Sequence, residues 1–222
     1  MGHRRREPLC VLVSGGLDSA VLLNRLLQRG YRLVPLYVRC GFSWEPVELY
    51  WVRCFLRTLP RHQVSPIRVV TLPLHSVYGP HWSFTGRRIP GARSVDAAVY
   101  LPGRNVLLLS AAAIVCVQRR CSGVALGTLR GNPFGDATPR FFTQMAACLT
   151  QALSHPIRIL SPLRHMRKSQ LIRHAAGVPF ELTFSCLHPR GRRHCGRCNK
   201  CTERRRAFRL AGVDDPTDYA KR

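Results

Sequence analysis

A short glycine-containing motif near the start of the chain has the composition of a phosphate-binding loop. The sequence SGGLDS occupies residues 14–19, between an apolar run, Leu9–Val13, and a segment of helical periodicity. Two glycines let the backbone curl so that its N–H groups approach an anion, and the following helix adds its positive dipole end. Ser14 and Ser19 add hydroxyl donors, and Asp18 suits Mg²⁺. The motif lacks the lysine of a Walker A loop and predicts a site for a magnesium pyrophosphate group. The alternative is a plain glycine turn before a capped helix.

Near the other end of the chain, four cysteines have the spacing of a metal site. They follow the pattern C-x8-C-x2-C-x2-C and are Cys186, Cys195, Cys198 and Cys201. Four thiolates suit a structural zinc ion, which would hold the C-terminal segment on the rest of the chain. An iron–sulfur cluster or a redox pair is the alternative, and His188 and His194 are not expected to be ligands. The remaining cysteines lie in mostly apolar surroundings and are interpreted as core residues: Cys10, Cys40, Cys54, Cys116, Cys121 and Cys148.

The elements that must position these motifs alternate along the chain. Apolar runs predict strands at 9–13, 33–38, 67–72 and 123–127, and helical periodicity predicts helices at 19–29, 46–58, 105–120, 139–154 and 166–176. Such alternation predicts an α/β fold with a parallel sheet and helices on both of its faces. Residues 73–102 are rich in Gly, Pro and aromatics, which is typical of a lid or binding loop. We expect a main domain at 1–178 and a small zinc module at 179–222.

The chain is strongly basic, with 35 Lys and Arg against 11 Asp and Glu and a net charge of +24. Clusters occur at Arg4–Arg6, Arg190–Arg193 and Arg204–Arg206, as nucleic-acid binding would require. The other arginines are spread along the whole chain, which favours a compositional bias, so nucleic acid is a compatible partner but not a required one. The longest apolar run, Val106–Val117, is shorter than the roughly 20 residues that span a bilayer. With no signal-peptide pattern, we expect a cytoplasmic protein without a membrane partner.

The motif at 14–19 resembles the SGGxDS loop of the PP-loop ATP pyrophosphatases, which adenylate a carbonyl or amide oxygen and release pyrophosphate. This resemblance implies ATP and Mg²⁺ as cofactors. It also implies a set of nucleotide-binding residues, which are Val13, Ser14, Gly15, Gly16, Leu17, Asp18, Ser19 and Ala20.

Over nearly its whole length the chain resembles one family of these enzymes, the 7-cyano-7-deazaguanine synthases (QueC, also called ExsB), as a divergent member. The similar segments are LPGRNVLLLSAAA at 101–113, SPLRHMRKSQLI at 161–172, LTFSC at 182–186, CGRCNKC at 195–201 and DDPTDY at 214–219. The family's reaction converts 7-carboxy-7-deazaguanine and ammonia to a nitrile through an acyl-adenylate and an amide, in the biosynthesis of queuosine- and archaeosine-type 7-deazapurines.

The resemblance also implies roles for particular residues. Asp18, Arg104 and Lys168 are the expected catalytic residues, and Arg104, Asn105 and Asp136 are the expected substrate-binding residues. From chemistry alone, Arg104 suits a phosphate or carboxylate, and Asn105 can both donate to and accept from a base edge. The expected partners are a small-molecule carboxylate and ammonia, and the chain is compatible with a homodimer.

Two segments depart from the family's pattern. RCGFSWEPVE at 39–48 stands where the family has YGQRHxxE, with Glu45 or Glu48 in place of the glutamate. GNPFGDATPR at 131–140 stands where the family has a segment of the type DYSGYPDCR near the base, and it keeps only Asp136 of the two aspartates. The alternatives are therefore a PP-loop ligase or conjugating enzyme that adenylates a different carboxylate, or one that thiolates a tRNA base. A non-enzymatic zinc protein that binds nucleic acid is the third class.

Overall fold

The computed structural model describes residues 7–221, so the cluster Arg4–Arg6 lies outside the described part of the chain. Five parallel strands form one sheet in the order β3-β2-β1-β4-β5. The strands are β1 (Leu9–Leu12), β2 (Leu33–Arg39), β3 (Arg68–Thr71), β4 (Val124–Ala125) and β5 (Ile159–Leu160). The chain runs outward from β1 to β3 and then returns to the other side of β1. The carboxyl ends of β1 and β4 therefore flank a topological switch point, where open α/β sheets bind ligands.

The helices are α1 (Leu17–Gln28), α2 (Glu45–Leu56), α3 (His75–Tyr78), α4 (Trp82–Thr85), α5 (Arg104–Gln118), α6 (Pro139–Leu153), α7 (Lys168–Arg173) and α8 (Asn199–Ala211). The five predicted helices are present as α1, α2, α5, α6 and α7, with shifted ends, and the further helices α3, α4 and α8 lie outside the predicted intervals. Short 3₁₀ helices lie at Asp96–Val99, Gly135–Ala137 and Phe180–Leu182. Strand β5 and helix α8 were not expected from the sequence.

Alternating strand residues separate the apolar side chains into two clusters, one on each face of the sheet. Cys10 and Leu36 belong to the cluster that contains residues of α5 and α6. Leu9 and Val11 belong to the cluster that contains residues of α1, α2, α7 and α8. The prediction of a parallel sheet with helices on both faces is confirmed.

Two of the six cysteines that were interpreted as core residues do not lie in the core, since Cys54 is only partly buried and Cys148 is exposed. Cys148 lies on a solvent-facing position of α6, where helical periodicity rather than residue type decides exposure.

The segment 73–102 folds over the turn that follows β2 through stacked aromatic rings. The rings of Phe42 and Phe84 stack with centroids 5.4 Å apart, and those of Trp44 and Trp82 with centroids 5.8 Å apart. These contacts place α4 beside the switch point of the sheet. Within the described chain, no helix is both long and apolar enough to cross a bilayer.

A buried arginine anchors the C-terminal segment. Arg204 is 2% exposed, and its guanidinium donates to Thr183 Oγ1 at 2.8 Å and to the carbonyl oxygen of Phe180 at 2.9 Å. The same segment contributes Cys201 to one apolar cluster and Phe208 to the other. Residues 179–221 thus pack against both faces of the main fold, and the boundary at 178 stays a prediction.

Candidate active site

The SGGLDS motif forms a tight loop between β1 and α1. Gly15 has a φ of +72°, a conformation that side chains disfavour, and a Cβ there would lie 2.9 Å from Val52 Cγ2. Ser14 N donates to Ser19 Oγ at 3.0 Å, which closes the loop across the start of α1. The loop therefore presents backbone N–H groups at the N-terminus of a 12-residue helix, an arrangement that binds anions.

A cavity of about 490 Å³ opens beside this loop. Its walls include nearly all of the site residues expected from the sequence: Val13, Ser14, Gly16, Leu17, Asp18, Ser19, Arg104, Asn105, Asp136 and Lys168. Gly15 and Ala20 do not line it. Gly15 shapes the turn, and Ala20 is a buried core residue of α1. The fold thus gathers residues from distant parts of the chain around one space large enough for a small-molecule ligand.

An alternating row of charges crosses one side of the cavity. Lys168 Nζ lies 3.6 Å from Asp18 Oδ2 and forms a close ion pair with Glu203 Oε1, whose other oxygen lies 2.7 Å from Lys200 Nζ. Burial alone would raise the pKa of Glu203, but the two lysines outweigh it and lower the pKa to about 2. Burial raises the pKa of Asp18 above its usual range, and Lys168 only partly offsets this. Asp18 Oδ1 is buried and has no hydrogen-bond partner in residues 7–221.

A second wall is built at the start of α5. Asn105 N donates to Asp136 Oδ2 at 3.0 Å, and Asn105 Nδ2 donates to the carbonyl oxygen of Asp136 at 2.9 Å. One oxygen of Asp136 therefore caps the helix that carries Arg104 and Asn105. These two hydrogen bonds join the segment 131–140 to the start of α5 in the wall of the cavity.

The two glutamates of the segment 39–48 have different environments. Glu45 is 3% exposed and accepts hydrogen bonds from the backbone N–H groups of Cys40 and Gly41, so it fixes the turn after β2. Glu48 lies in the cavity wall and accepts a hydrogen bond from Tyr37 Oη at 2.6 Å. Burial raises the pKa of Glu48 to about 8, although the bond from Tyr37 favours the carboxylate.

The four cysteines converge on one point. All four side chains are buried, and their Sγ atoms lie within 4.8 Å of one another. Backbone N–H groups of Leu187, His188 and Cys195 point at these sulfurs, which favours thiolates. His194 is not part of the cluster, because its Nε2 accepts a hydrogen bond from Ser185 N. The cluster adjoins the loop as well, since Phe184 N donates to the carbonyl oxygen of Gly15 at 2.7 Å.

Sequence reasoning missed several residues of this cavity. Lys200 and Glu203 come from α8, a helix that was not predicted, so nothing placed them near Lys168. Tyr100 and Phe134 also line the cavity and stack with ring centroids 4.2 Å apart and an interplanar angle of 8°. A signal existed for Tyr100, which belongs to the aromatic-rich segment 73–102, but not for Phe134, the single aromatic residue between β4 and α6.

Comparison with known proteins gives relatives along the whole chain. The family described as "Queuosine biosynthesis protein QueC" matches residues 9–212. A 7-cyano-7-deazaguanine synthase of Anaeromyxobacter dehalogenans is 35% identical, over 95% of both chains. One from Sulfurimonas denitrificans is 30% identical over 99% of this chain and all of its own length. One from Methanoculleus marisnigri is 32% identical over 97% of this chain and all of its own length.

Solved structures share the fold at low sequence identity. A 4-thiouridine synthetase, solved as an RNA complex with bound ATP, matches with a TM-score of 0.52 at 16% identity, over 93% of this chain and 50% of that one. A predicted subunit of tRNA methyltransferase from Methanocaldococcus jannaschii matches with a TM-score of 0.50 at 17% identity, over 77% of this chain and 74% of that one. These likenesses concern the fold alone and confirm the PP-loop type of α/β architecture. With a family match over residues 9–212 and relatives of 30–35% identity along almost the entire chain, the protein belongs to the QueC family.

Proposed function

We propose that this protein uses ATP to convert 7-carboxy-7-deazaguanine and ammonia to 7-cyano-7-deazaguanine. The carboxylate attacks the α-phosphorus of ATP, which gives an acyl-adenylate and pyrophosphate. Ammonia then displaces AMP to form the amide, and a second ATP activates the amide oxygen so that AMP leaves and a nitrile remains. The observation that carries the proposal is the cavity itself, where the loop at 14–19 and the residues Arg104, Asn105, Asp136 and Lys168 meet in one space.

The loop supports the assignment of ATP phosphates to residues 14–19. Its curled backbone and the N-terminus of α1 supply donors for the phosphates without any basic side chain in the motif. The unpartnered Oδ1 of Asp18 fits a Mg²⁺ ligand, since carboxylate oxygens are the donors that Mg²⁺ prefers. Mg²⁺ bound there would neutralise charge that develops on the departing pyrophosphate. Lys168, beside Asp18, supplies a second positive charge at the same place.

The wall at the start of α5 supports recognition of a purine-like carboxylate. Arg104 carries a guanidinium that can pair with a carboxylate or phosphate through two hydrogen bonds. Asn105 and Asp136 are held together by two hydrogen bonds, so their remaining polar atoms are fixed in direction. Rigid polar groups of this kind select a ligand by leaving a mismatched one with unsatisfied partners.

The cysteine cluster fits a structural zinc ion. Cys186 and Cys198 have their sulfurs 4.0 Å apart, and Cys195 and Cys201 have theirs 3.9 Å apart. A tetrahedral site with zinc–sulfur bonds of about 2.3 Å has sulfur–sulfur separations of about 3.8 Å. Four protein ligands close such a site to substrate, so its contribution is to hold the C-terminal segment in place.

The proposal is tested by incubating the purified protein with ATP, Mg²⁺, ammonium and 7-carboxy-7-deazaguanine. Pyrophosphate release and the mass of the product are followed together, with the carboxylate omitted as control. We expect carboxylate-dependent pyrophosphate and a nitrile product. An amide as the final product would assign a ligase that stops halfway. Folded, metal-loaded protein that releases no pyrophosphate with this carboxylate would exclude it as the substrate.

A further inference from the structure

Within the described chain, the cavity is lined by five carboxylate side chains, namely Asp18, Glu45, Glu48, Asp136 and Glu203. Four of them already have charged or backbone partners. Asp18 and Glu203 pair with lysine side chains, whereas Glu45 and Asp136 accept hydrogen bonds from backbone N–H groups. Glu48 differs from the others because its hydrogen-bond partners are neutral side chains, namely Tyr37 Oη at 2.6 Å and the side chain of Trp44. A carboxyl group with a neutral partner can exchange protons at near-neutral pH more readily than one held by a cation.

The surroundings of Glu48 set its proton affinity. Tyr37 and Cys40 approach it from β2 and the turn that follows, Glu45 from its own helix, and Arg104 from the start of α5. Burial and the negative charge of Glu45 disfavour the carboxylate, while the hydrogen bonds from Tyr37 and Trp44 and the positive charge of Arg104 favour it. Burial thus raises the pKa of Glu48 to about 8, and a general base is most effective when its pKa lies near the pH of the reaction.

Glu48 is also placed beside the phosphate loop. A Cβ built on Gly15 would lie 3.5 Å from Glu48 Cγ, so the side chain leaves α2 directly against the loop. The bond between substrate oxygen and α-phosphorus must form next to this loop if the loop binds ATP phosphates. Glu48 therefore faces the region where the adenylated intermediate is held.

The proposed reaction needs a base at this point. When ammonia attacks the acyl-adenylate, a carbon–nitrogen bond forms, the carbon–oxygen bond to AMP breaks, and one proton must leave nitrogen. When the adenylated amide becomes a nitrile, AMP leaves with the amide oxygen and the two remaining protons leave the same nitrogen. All three hydrogens of ammonia are thus lost from one atom, with no change of oxidation state and no other reagent. A positioned base accelerates such steps by about 10²–10⁴-fold.

We propose that Glu48 is the general base that accepts these protons from the substrate nitrogen, with Tyr37 as the residue that positions its carboxylate. This inference rests on the proposed function and adds a catalytic residue to it. Glu48 takes up a proton as the carboxylate and releases it to solvent between steps. The adenylation of the carboxylate itself removes no proton from the substrate, so that step does not need Glu48.

The test uses Glu48→Gln, which keeps the shape of the side chain and an acceptor for Tyr37. Glu181→Gln is the matched control, because Glu181 is exposed. The assay supplies the amide directly, with ATP and Mg²⁺, and follows nitrile formation. No ammonia is needed for this step, so the pH profile does not contain the titration of ammonium. Carboxylate-dependent ATP–pyrophosphate exchange without ammonium measures adenylation alone.

We expect Glu48→Gln to lower nitrile formation from the amide by about 10²-fold or more, while ATP–pyrophosphate exchange stays within about threefold of the wild type. Because the carboxylate is the active form, the wild-type rate should rise with pH through about 8, and the Glu48→Gln rate should not. Tyr37→Phe removes a hydrogen bond that favours the carboxylate, so it should move the rising limb to higher pH. A role for Glu48 in folding alone would not move this limb.

Three other outcomes would contradict the assignment of Glu48 or the proposed function. A Glu48→Gln enzyme with the wild-type rate and pH profile would refute the base. If Glu48→Gln loses both ATP–pyrophosphate exchange and nitrile formation, Glu48 acts in substrate or nucleotide binding instead. A wild-type enzyme that forms neither product nor pyrophosphate would overturn the proposed function, and the inference with it.

Discussion

The two carboxylate oxygens of Asp18 have different surroundings. Its Oδ2 lies 3.6 Å from Lys168 Nζ, while its buried Oδ1 has no hydrogen-bond partner in residues 7–221. A buried carboxylate oxygen without a partner is costly, so its retention calls for a ligand that completes it. Glu203 takes up much of the charge of Lys168 through a closer ion pair, which leaves Asp18 available for a cation.

We predict that Asp18→Asn abolishes carboxylate-dependent pyrophosphate release without unfolding the protein. An amide of the same size keeps the packing but removes the negative charge that a Mg²⁺ ligand needs. The measurements are the pyrophosphate assay as a function of Mg²⁺ concentration, and thermal unfolding of the same samples. Asp214→Asn, at an exposed site, is the control and should behave as the wild type. Wild-type turnover by Asp18→Asn would refute the assignment of Asp18 to the nucleotide site.

The phosphate loop depends on close packing between neighbouring elements as well as on its own sequence. Gly15 lies against Val52 of α2, and its carbonyl oxygen accepts a hydrogen bond from Phe184 N. Gly127, just beyond β4, approaches the backbone of Asp18 so closely that a Cβ there would lie 3.1 Å from the Asp18 carbonyl oxygen. The loop is therefore fixed by α2, by the turn after β4 and by the C-terminal segment together.

We predict that Gly15→Ala destabilises the protein more than Gly30→Ala and also weakens ATP binding. Both glycines have positive φ, +72° and +76°, so an alanine costs about 1–2 kcal/mol at either position. Only at Gly15 would the new methyl group also meet Val52, at 2.9 Å, whereas nothing lies within 4 Å at Gly30. Chemical denaturation gives the two free energies of unfolding, and calorimetry gives the affinity for ATP. Equal losses of stability with unchanged ATP affinity would contradict the packing argument.

The sequence predicts most of this fold because its central strands are continuous apolar runs and its long helices are amphipathic. Strand β5 escaped prediction because it is only two residues long and is defined by its pairing with β4. Helix α8 escaped because nearly half of its residues are charged, and its buried face includes Arg204, which sequence patterns assign to solvent. Lys200 and Glu203 were missed for the same reason. The order of the strands already predicts that the phosphate loop and the start of α5 lie side by side at the cavity. The residues that α8 adds to the cavity can be identified only from the three-dimensional structure.

The C-terminal segment connects the two apolar clusters on opposite faces of the sheet. Cys201 packs in one cluster and Phe208 in the other, although both belong to α8. The same helix supplies Glu203 to the cavity, and Phe184 holds the phosphate loop. A metal ion bound by the four cysteines therefore stabilises the site and both halves of the core together, since binding energy of such an ion is folding energy.

We predict that Cys198→Ser loses the bound metal and lowers the melting temperature of the whole molecule in one cooperative transition. A loss of about 3 kcal/mol corresponds to a decrease of about 6–12 °C for a chain of this size. Elemental analysis of the purified protein and calorimetric unfolding are the measurements. Cys148→Ser is the control, since Cys148 is exposed and should keep both metal and melting temperature. Full metal occupancy in Cys198→Ser would exclude the four-thiolate site. A second, separate transition would show that the C-terminal segment melts alone, which the packing of α8 into both clusters argues against.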